Sequence, residues 1–428
     1  MRFKVSFSTF LIALFVLFPL QGFAAGLWLY EAPAPDMGLA AAGRAALAQD
    51  ASTVAFNPAG MTRLERNQLQ GGLLGLLVQA EFDSDSTTFG GGDGGDAGDF
   101  VPVAGASYVH GLSPDLKLGL SLGSYFGLGL DYGDNWAGRY YVQEGELVTL
   151  GINPGIGYRC TDWLSVGAGF SIVYGKLKQD VAINNNPLGI GSTPDGQLKI
   201  DEDDVSYGYN LGILLEPVDG TRFGLTYRSE VELDFDDAIT VKNLSPALET
   251  IINAILGPSR KVDMELTIPQ AVMFSVYHQL TERWAIMGNI GWQEQSEFGK
   301  TSISLASTVS TSLTADRNFH DTWHFALGTQ YRLAPAWLLS VGIAYDESPV
   351  DDKDRTPDMP LDRQIRYATG LQYDLNADAT IGIAYTYIDA GSAEIRQTAA
   401  DNPLRGDLIG DYQTNDLHAL NVNLVYRF

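Results

Sequence analysis

Three short patterns in the sequence could support chemistry. The segment Gly119–Gly123 reads GLSLG and matches G-x-S-x-G, the pattern in which Ser121 would be the nucleophile of a lipid hydrolase. His320 and His324 are four residues apart, which is the spacing of two metal ligands on one helix. The segment GGGDGGDAGD, residues 90–99, is similar to glycine–aspartate calcium repeats.

The surroundings argue against all three patterns. A serine nucleophile elbow needs a strand–turn–helix context, whereas leucines alternate straight through Ser121 as they do in a continuous strand. On a strand, His320 and His324 would be about 13 Å apart, too far to share a metal. Residues 90–99 lack the nine-residue calcium-repeat period. The sequence therefore predicts no enzyme, no catalytic residue, no cofactor and no metal site.

The charge balance excludes further classes of protein. The chain has 428 residues and a net charge of −25, so a nucleic-acid-binding role is not expected. Its acidic residues cluster in predicted loops, where divalent cations could bridge them. The single cysteine, Cys160, rules out a disulfide within the chain.

The first residues resemble an export signal. Arg2 and Lys4 precede the apolar run Phe10–Leu20, and small residues at Gly22 and Ala24 suit a cleavage site. We therefore assign residues 1–24 to a signal peptide.

The elements that would position any functional residue are predicted to be β-strands. In Arg222–Phe235 the apolar side chains occupy odd positions and the polar side chains even positions, with Ser229 as the one interruption of the apolar face, which is the period of a strand with one apolar face. The C-terminal segment alternates in the same way and ends on Phe428, a feature that resembles the assembly signal of bacterial outer-membrane barrels.

The connections between strands differ at the two ends. Six are short and turn-like, and three of these are followed at once by Trp163, Trp284 and Trp337, a residue that favours membrane interfaces. Between the short turns the chain has room for two strands and a long loop. Short turns at one end and long loops at the other are typical of outer-membrane barrels. We count about fourteen strands over residues 67–428, among them single strands at 221–235 and 263–280, and a soluble β-sandwich is the structural alternative.

A 14-stranded barrel is too wide for its own side chains to fill its lumen, so another segment is expected to occupy the lumen. Residues 25–66 precede the first strand and are predicted to form a partly helical plug. Within them Asn57-Pro58 suits a helix N-cap followed by proline at the first helical position. The plainer interpretation of Asn57 is a cap and nothing more.

Several segments resemble the FadL family, long-chain fatty acid transporters of the Gram-negative outer membrane. Residues 26–60 resemble its N-terminal hatch, and Asn57-Pro58-Ala59 matches its NPA motif. Further segments follow in the family's order, including GLGLDYGDNWAGRYYV, WLSVGAGFSIVYGKLK, FGLTYRSEVELDF and LVYRF. The resemblance covers essentially the whole mature chain. It implies an all-β membrane protein, a 14-stranded antiparallel transmembrane β-barrel plugged by a small hatch domain.

The resemblance also implies roles for particular residues. Asn57, Pro58 and Ala59 would gate the plug, and Gly127 and Gly129 would mark a kink that opens the wall sideways. Alternatively, the two glycines only begin a loop. A groove between long loops would capture ligand, formed by residues 181–203 and by an apolar helix whose helical spacing is carried by Leu244, Leu248, Ile251, Ile252, Ile255 and Leu256. Alternatively, this is a short helix that only packs on neighbouring loops. Arg228 should face the lumen, where it could pair with a ligand carboxylate or with a lumen acid such as Glu230. The small residues Ser165, Gly167, Gly169 and Ser171 would leave room for an acyl chain.

These features favour an outer-membrane channel for passive uptake of hydrophobic molecules, most of all long-chain fatty acids. The expected partners are that ligand, outer-membrane lipid and lipopolysaccharide, and the barrel assembly machinery acting on Phe428, with the chain a monomer. The alternatives are an aromatic hydrocarbon channel of the same family, a general porin for polar solutes and the lipid hydrolase based on Ser121. A role as adhesin or phage receptor could coexist with transport.

Overall fold

A closed antiparallel β-barrel dominates the computed structural model. The structure describes residues 30–124, 126–186, 193–238, 240–246, 248–250, 253, 261–305, 311–400 and 405–428. The predicted signal peptide lies outside these ranges. Within the described residues, no helix is long and apolar enough to cross a membrane.

The chain forms 21 strands over the described residues. They are β1 Gln68–Thr87, β2 Phe100–Gly111, β3 Leu116–Gly123, β4 Gly127–Asp131, β5 Glu144–Thr161, β6 Leu164–Ile183, β7 Gly196–Val218, β8 Thr221–Arg228, β9 Val231–Ala238, β10 Thr240–Lys242, β11 Lys261–Ile268, β12 Ala271–Thr281, β13 Trp284–Gln293, β14 Lys300–Leu305, β15 Thr311–Asp316, β16 Thr322–Ala334, β17 Trp337–Asp346, β18 Gln364–Asp374, β19 Ala379–Asp389, β20 Ile395–Gln397 and β21 Leu408–Arg427.

The barrel wall closes when β1 pairs with β21, from Gln68 opposite Arg427 to Thr87 opposite Leu408. Going round the wall from β1, the order is β2, β3 with β4, β5, β6, β7, β8, β12, β13, β16, β17, β18, β19 and β21. Since β3 and β4 both pair with β5 along one line, they are two pieces of one wall strand. The wall therefore has the predicted fourteen strands.

Alternation along the wall strands separates a lipid face from a lumen face. In β21, Leu420, Val422 and Leu424 are about half exposed, whereas Asn421 and Asn423 between them are buried. An apolar outer face with a polar inner face is the pattern of a membrane barrel. Trp163, Trp284 and Trp337 are also exposed, at the short-turn end, as an interfacial belt requires.

Four strands leave the wall and form a second sheet, in the order β15-β14-β11-β9. The predicted single strands 221–235 and 263–280 are therefore wrong, because each divides into a wall strand and a strand of this second sheet. One division falls at Ser229 and Glu230, and the other at Pro269 and Gln270. Proline has no N–H to continue a ladder, which explains the second division.

The second sheet covers an apolar core near the long-loop end of the lumen. Val231, Leu233 and Phe235 of β9 are at most 6% exposed, although they continue the alternation of lipid-facing residues in β8. Their partners in this core come from the wall, the loops and the second sheet: Phe126, Leu147, Val173, Leu266, Ile268, Phe298, Phe319, Val350 and Leu361. The apolar positions of one predicted strand thus face lipid in β8 and the apolar core of the lumen in β9.

Short helices of the N-terminal segment form the plug. They are the 3-10 helix Pro35–Leu39, the α-helices Arg44–Leu47 and Thr53–Phe56, and the 3-10 helix Pro58–Arg63. The first contacts β16 to β19, the second β7, β8 and β12, and the last β3, β5, β6 and β7. Since these strands surround the segment on all sides, it lies inside the barrel. A further short helix, Gln295–Phe298, follows β13.

Candidate functional site

Asn57 is a polar residue of the plug and is fully buried. Its Oδ1 accepts a hydrogen bond from Ala59 N at 3.1 Å, which caps the 3-10 helix that begins at Pro58. Its Nδ2 donates to the carbonyl oxygens of Ala45 at 2.6 Å and of Ile213 in β7 at 3.1 Å. Asn57 is therefore both the expected cap and a direct link between two parts of the plug and the barrel wall.

A second asparagine holds the plug from the wall. Asn289 of β13 accepts a hydrogen bond from Gly43 N at 2.6 Å and donates to Ala41 O. Beside it, Ser275 of β12 accepts a hydrogen bond from Ala45 N at 3.1 Å. Sequence reasoning missed this pair, although both residues occupy inward positions of alternating strands. Polar residues at such positions are the signal that could have found them.

A buried ionic cluster holds the start of the plug. Arg366 of β18 pairs with Glu31 at 2.9 Å and with Asp346 of β17. Asp346 also lies 2.9 Å from His324 Nδ1, and the His324 ring stacks on Tyr30 with centroids 4.1 Å apart. His324 thus contacts an acid and an aromatic ring, whereas His320 lies outside β16 and is exposed. Within the described residues, no cluster of histidine, cysteine and acidic residues could hold a metal ion.

Glycines on the lumen face bring the wall close to the plug backbone. A Cβ at Gly157 would lie 2.5 Å from Pro58 O, and a Cβ at Gly212 would overlap the amide of Asn57. A Cβ at Gly167 would lie similarly close to the backbone N of Ala59. Glycine is needed where another backbone approaches a strand this closely.

The expectation that the small residues of β6 make room for an acyl chain is wrong at these positions. Ser165 Oγ is 2.8 Å from Thr62 Oγ1 of the plug, and Gly167 lies against the plug backbone. Ser171 donates to Asn153 Oδ1 of the neighbouring strand at 2.6 Å, and Gly169 faces Asn210. The space beside this face of β6 is occupied by the plug and by neighbouring side chains.

The wall ladder is broken beside Gly127 and Gly129. β2 pairs with β3 from Ala106 to Gly111, whereas Phe100–Gly105 pairs only with β1 among the described residues. Across from that free edge, the wall strand is interrupted between Gly123 and Gly127. We call this break the β2–β4 window, bounded by Phe100–Gly105 and by residues 124 and 126–130.

The window is closed off above and below. At its short-turn end, Ala106 pairs with Leu122. At its long-loop end, Asp131 N donates to Ala97 O at 2.9 Å. On the lumen side Phe126 is 1% exposed and packs edge-on against Phe298, with ring centroids 4.9 Å apart. The window is thus a local gap between the strands beside the apolar core of the lumen.

Arg228 faces the lumen as predicted and touches the plug. Its guanidinium donates a hydrogen bond to Ala55 O at 2.8 Å. Ser121, the residue of the G-x-S-x-G pattern, lies in the middle of β3 opposite Ser107 and Asn153. This continuous strand is not the strand–turn–helix context of a nucleophile elbow.

The two loops of the predicted capture groove are neighbours. Ser245 N donates to Asn185 Oδ1 at 2.8 Å, and a Cβ at Gly196 would lie 3.1 Å from the Leu244 side chain. Residues 246, 248–250 and 253 are helical, and Leu244 and Leu248 are half-buried. Ile251, Ile252, Ile255 and Leu256 lie outside the described residues. Much of the predicted loop 181–203 belongs instead to β6 and β7.

The model of the family described as "Outer membrane protein transport protein (OMPP1/FadL/TodX)" matches residues 15–428. The chain belongs to this family. Membership confirms the resemblance found in the sequence and an outer-membrane location in Gram-negative bacteria. It also confirms a transport protein for hydrophobic compounds rather than an enzyme.

Individual members of the family match over most of the chain. A long-chain fatty acid transport protein of Escherichia coli O6:H1 is 29% identical over 394 residues, which are 86% of this chain and 87% of the relative. Outer membrane protein P1 of Haemophilus influenzae Rd is 25% identical and covers 95% of both chains.

Solved structures of the family share the fold. A FadL homologue of Pseudomonas aeruginosa superposes with a TM-score of 0.85 at 19% identity, over 94% of this chain and all of that chain. The toluene transporter TodX of Pseudomonas putida superposes with a TM-score of 0.64 at 16% identity, over 88% of this chain and 94% of that chain. At these identities the likeness concerns the fold, and it supports the 14-stranded barrel.

Proposed function

We propose that this chain imports long-chain fatty acids by passive diffusion through the β2–β4 window into the outer membrane. The observation that carries this proposal is the window itself, a break in the wall ladder that lies directly beside a buried apolar core. In a barrel with an unbroken wall, a hydrophobic molecule leaving the lumen sideways would have to break backbone hydrogen bonds between strands. Unpaired backbone groups are costly in lipid. At this window, the edge of β2 has already lost its pairing with the next strand.

The route begins at the long loops. The neighbouring loops around Asn185 and Leu244 are the proposed capture site, together with the apolar helix that follows. From there the ligand would pass the apolar core around Phe126 and Leu233. The plug around Asn57, Pro58 and Ala59 would shift to open the path, and Gly127 and Gly129 would flank the exit. Arg228 is a candidate to receive the ligand carboxylate, after exchanging its bond to Ala55 O.

The choice of fatty acid over aromatic hydrocarbon rests on the relatives. The sequences that match at 28–29% identity are named long-chain fatty acid transport proteins. Among the solved structures, the toluene transporters match at 16–17% identity with TM-scores of 0.63–0.65, against 19% and 0.85 for the FadL homologue. Passive movement past the apolar core and through the window is possible for both fatty acids and aromatic hydrocarbons, so uptake assays have to separate the two ligand classes.

Further partners are part of the proposal. Phe428 is half exposed and stacks on Tyr108 with ring centroids 6.0 Å apart, so it is accessible as a terminal aromatic signal for the barrel assembly machinery. The surrounding lipid and lipopolysaccharide would contact the apolar outer face. Because the wall closes on itself, a monomer is sufficient for transport.

The test is uptake by Gram-negative cells that lack their own long-chain fatty acid transporter. Cells expressing the chain should accumulate oleate well above cells carrying an empty vector, and C16–C18 fatty acids should co-purify with the solubilised protein. Toluene uptake without oleate uptake would move the substrate to aromatic hydrocarbons. A large, steady ion conductance in planar bilayers with neither uptake would refute the hydrophobic channel and favour a porin.

A further inference from the structure

A polar cavity lies beneath the plug at the short-turn end of the barrel. Its volume is about 680 Å³, and it is enclosed by the last residues of the plug and by the wall strands β7, β8 and β12. Arg63 comes from the plug, Glu216 and Arg222 come from the wall, and Gln68 opens the first strand. Short turns of outer-membrane barrels face the periplasm, so this cavity is on the periplasmic side.

The inner part of the cavity carries more positive than negative charge. Arg222 is only 6% exposed, and its guanidinium lies over the Tyr277 ring, 3.7 Å from the centroid. Arg63 is close enough to repel it, and Arg63 itself pairs with Glu216. Two buried or half-buried guanidinium groups therefore face one carboxylate.

The hydrogen bonds of these guanidinium groups are incomplete. Among the described residues, neither Arg222 Nε nor Arg63 Nε finds an acceptor, although both atoms are buried. Arginine is charged at every physiological pH, and a buried charge without a partner is strongly unfavourable. The cation–π contact and the side-chain hydrogen bond of Arg222 with Tyr277 offset only part of that penalty.

The acids at the rim do not supply the missing partner. Glu65, Asp162 and Asp219 are exposed, and Arg66 on the same rim pairs with Asp378 at 2.7 Å. Charges in contact with solvent are screened by water and salt, so they act weakly on a guanidinium deeper in the cavity. The inner site thus has unused donors and an excess of positive charge.

We propose that this periplasmic cavity is an anion-binding site that takes a carboxylate or phosphate group between Arg222 of the wall and Arg63 of the plug. The planar fork of a guanidinium matches the oxygen pairs of both anions. The lining is mainly polar, with Gln49 and Gln68 beside the arginines, so it suits a head group rather than an acyl chain. A bound anion would bridge plug and wall.

The test is isothermal titration calorimetry of the purified full-length protein with inorganic phosphate at low salt. Arg222→Gln should weaken binding at least about tenfold, since it removes a charged hydrogen-bond donor. Glu216→Gln removes the competing carboxylate and should strengthen binding. The matched control is Arg332→Gln, because Arg332 is a half-buried arginine at the same end, outside the cavity, that pairs with Asp374 at 3.3 Å.

The two substitutions in the cavity have opposite expected effects, so impaired folding cannot imitate the result. Unchanged affinity in Arg222→Gln, an equal loss in Arg332→Gln, or the absence of binding by the natural chain would overturn the proposal. These outcomes are independent of uptake, so the site can fail while the transport function stands.

A second titration separates the two sources of the anion. Phosphate binding is measured again with submicellar laurate present. If laurate weakens the phosphate binding that depends on Arg222, the site takes the carboxylate of a fatty acid. If phosphate binding is unaffected by laurate and still needs Arg222, a free phosphate is the ligand.

Discussion

Replacing Asn57 by alanine should loosen the plug without disrupting the barrel. The substitution removes three hydrogen bonds, from Ala59 N and to the carbonyls of Ala45 and Ile213. A typical neutral hydrogen bond contributes about 1 kcal/mol, so the plug should lose about 3 kcal/mol of stability relative to its open state. Since 1.4 kcal/mol is a factor of ten, the open population should rise roughly 100-fold.

Amide hydrogen exchange followed by mass spectrometry measures this opening directly, because exchange rates report local opening free energies. Peptides from residues 45–63 should exchange roughly 100-fold faster in Asn57→Ala, while wall peptides should be unchanged. Asn423→Ala is the matched control. Asn423 is also a buried lumen asparagine, but its Nδ2 donates a hydrogen bond to Asn421 Oδ1 of the same strand, at 2.6 Å. Unchanged plug exchange in Asn57→Ala, or an equal increase in Asn423→Ala, would refute the reasoning.

Three further predictions concern packing and charge. Gly212→Ala would push a methyl group into the Asn57 amide and should lower plug stability by about 1–3 kcal/mol, read from the same peptides. Arg366→Gln leaves Glu31 buried without its cation and should destabilise the start of the plug by about 3–5 kcal/mol, read from peptides that begin at residue 30. In the loop after β17, burial raises the pKa of the Asp358 carboxyl, but the Arg317 guanidinium 2.7 Å away outweighs this and holds that pKa below its usual value. A lowered pKa in the folded state stabilises the loop above the ordinary carboxyl pKa, and this stabilisation is lost as pH falls through the folded pKa. Limited proteolysis should therefore cut this loop faster in acid, and Asp358→Asn should remove that pH dependence.

The barrel was predictable because its signal is local. Period-two alternation and short turns recur along the chain, and each can be recognised without knowing what lies across the lumen. The second sheet was not predictable in this way. The alternation of apolar residues is interrupted only at Ser229 and resumes in the same phase at Val231, and one polar residue does not show that Val231 turns from the lipid side to the inner core. That change depends on contacts with Gly175 and Gly208 of neighbouring strands.

The candidate site was predictable only in part. The resemblance identified Asn57 and the glycines at the window. The bond from Asn57 to Ile213 joins residues 156 positions apart, and it depends on how the plug sits in the lumen. The small residues of β6 that face the plug, Ser165 and Gly167, were interpreted as free space because the sequence does not show what approaches them.

Oleate uptake through a narrowed window tests the central claim most directly. Val103 lies on the unpaired edge of β2 and is half-buried. Val103→Trp should obstruct the gap. Val341→Trp, which adds the same bulk at a lipid-facing position of β17, is the matched control. We predict that oleate uptake falls at least about tenfold in Val103→Trp and is unchanged in Val341→Trp, with equal amounts of folded protein in the outer membrane. Full uptake by Val103→Trp would contradict sideways exit through the β2–β4 window.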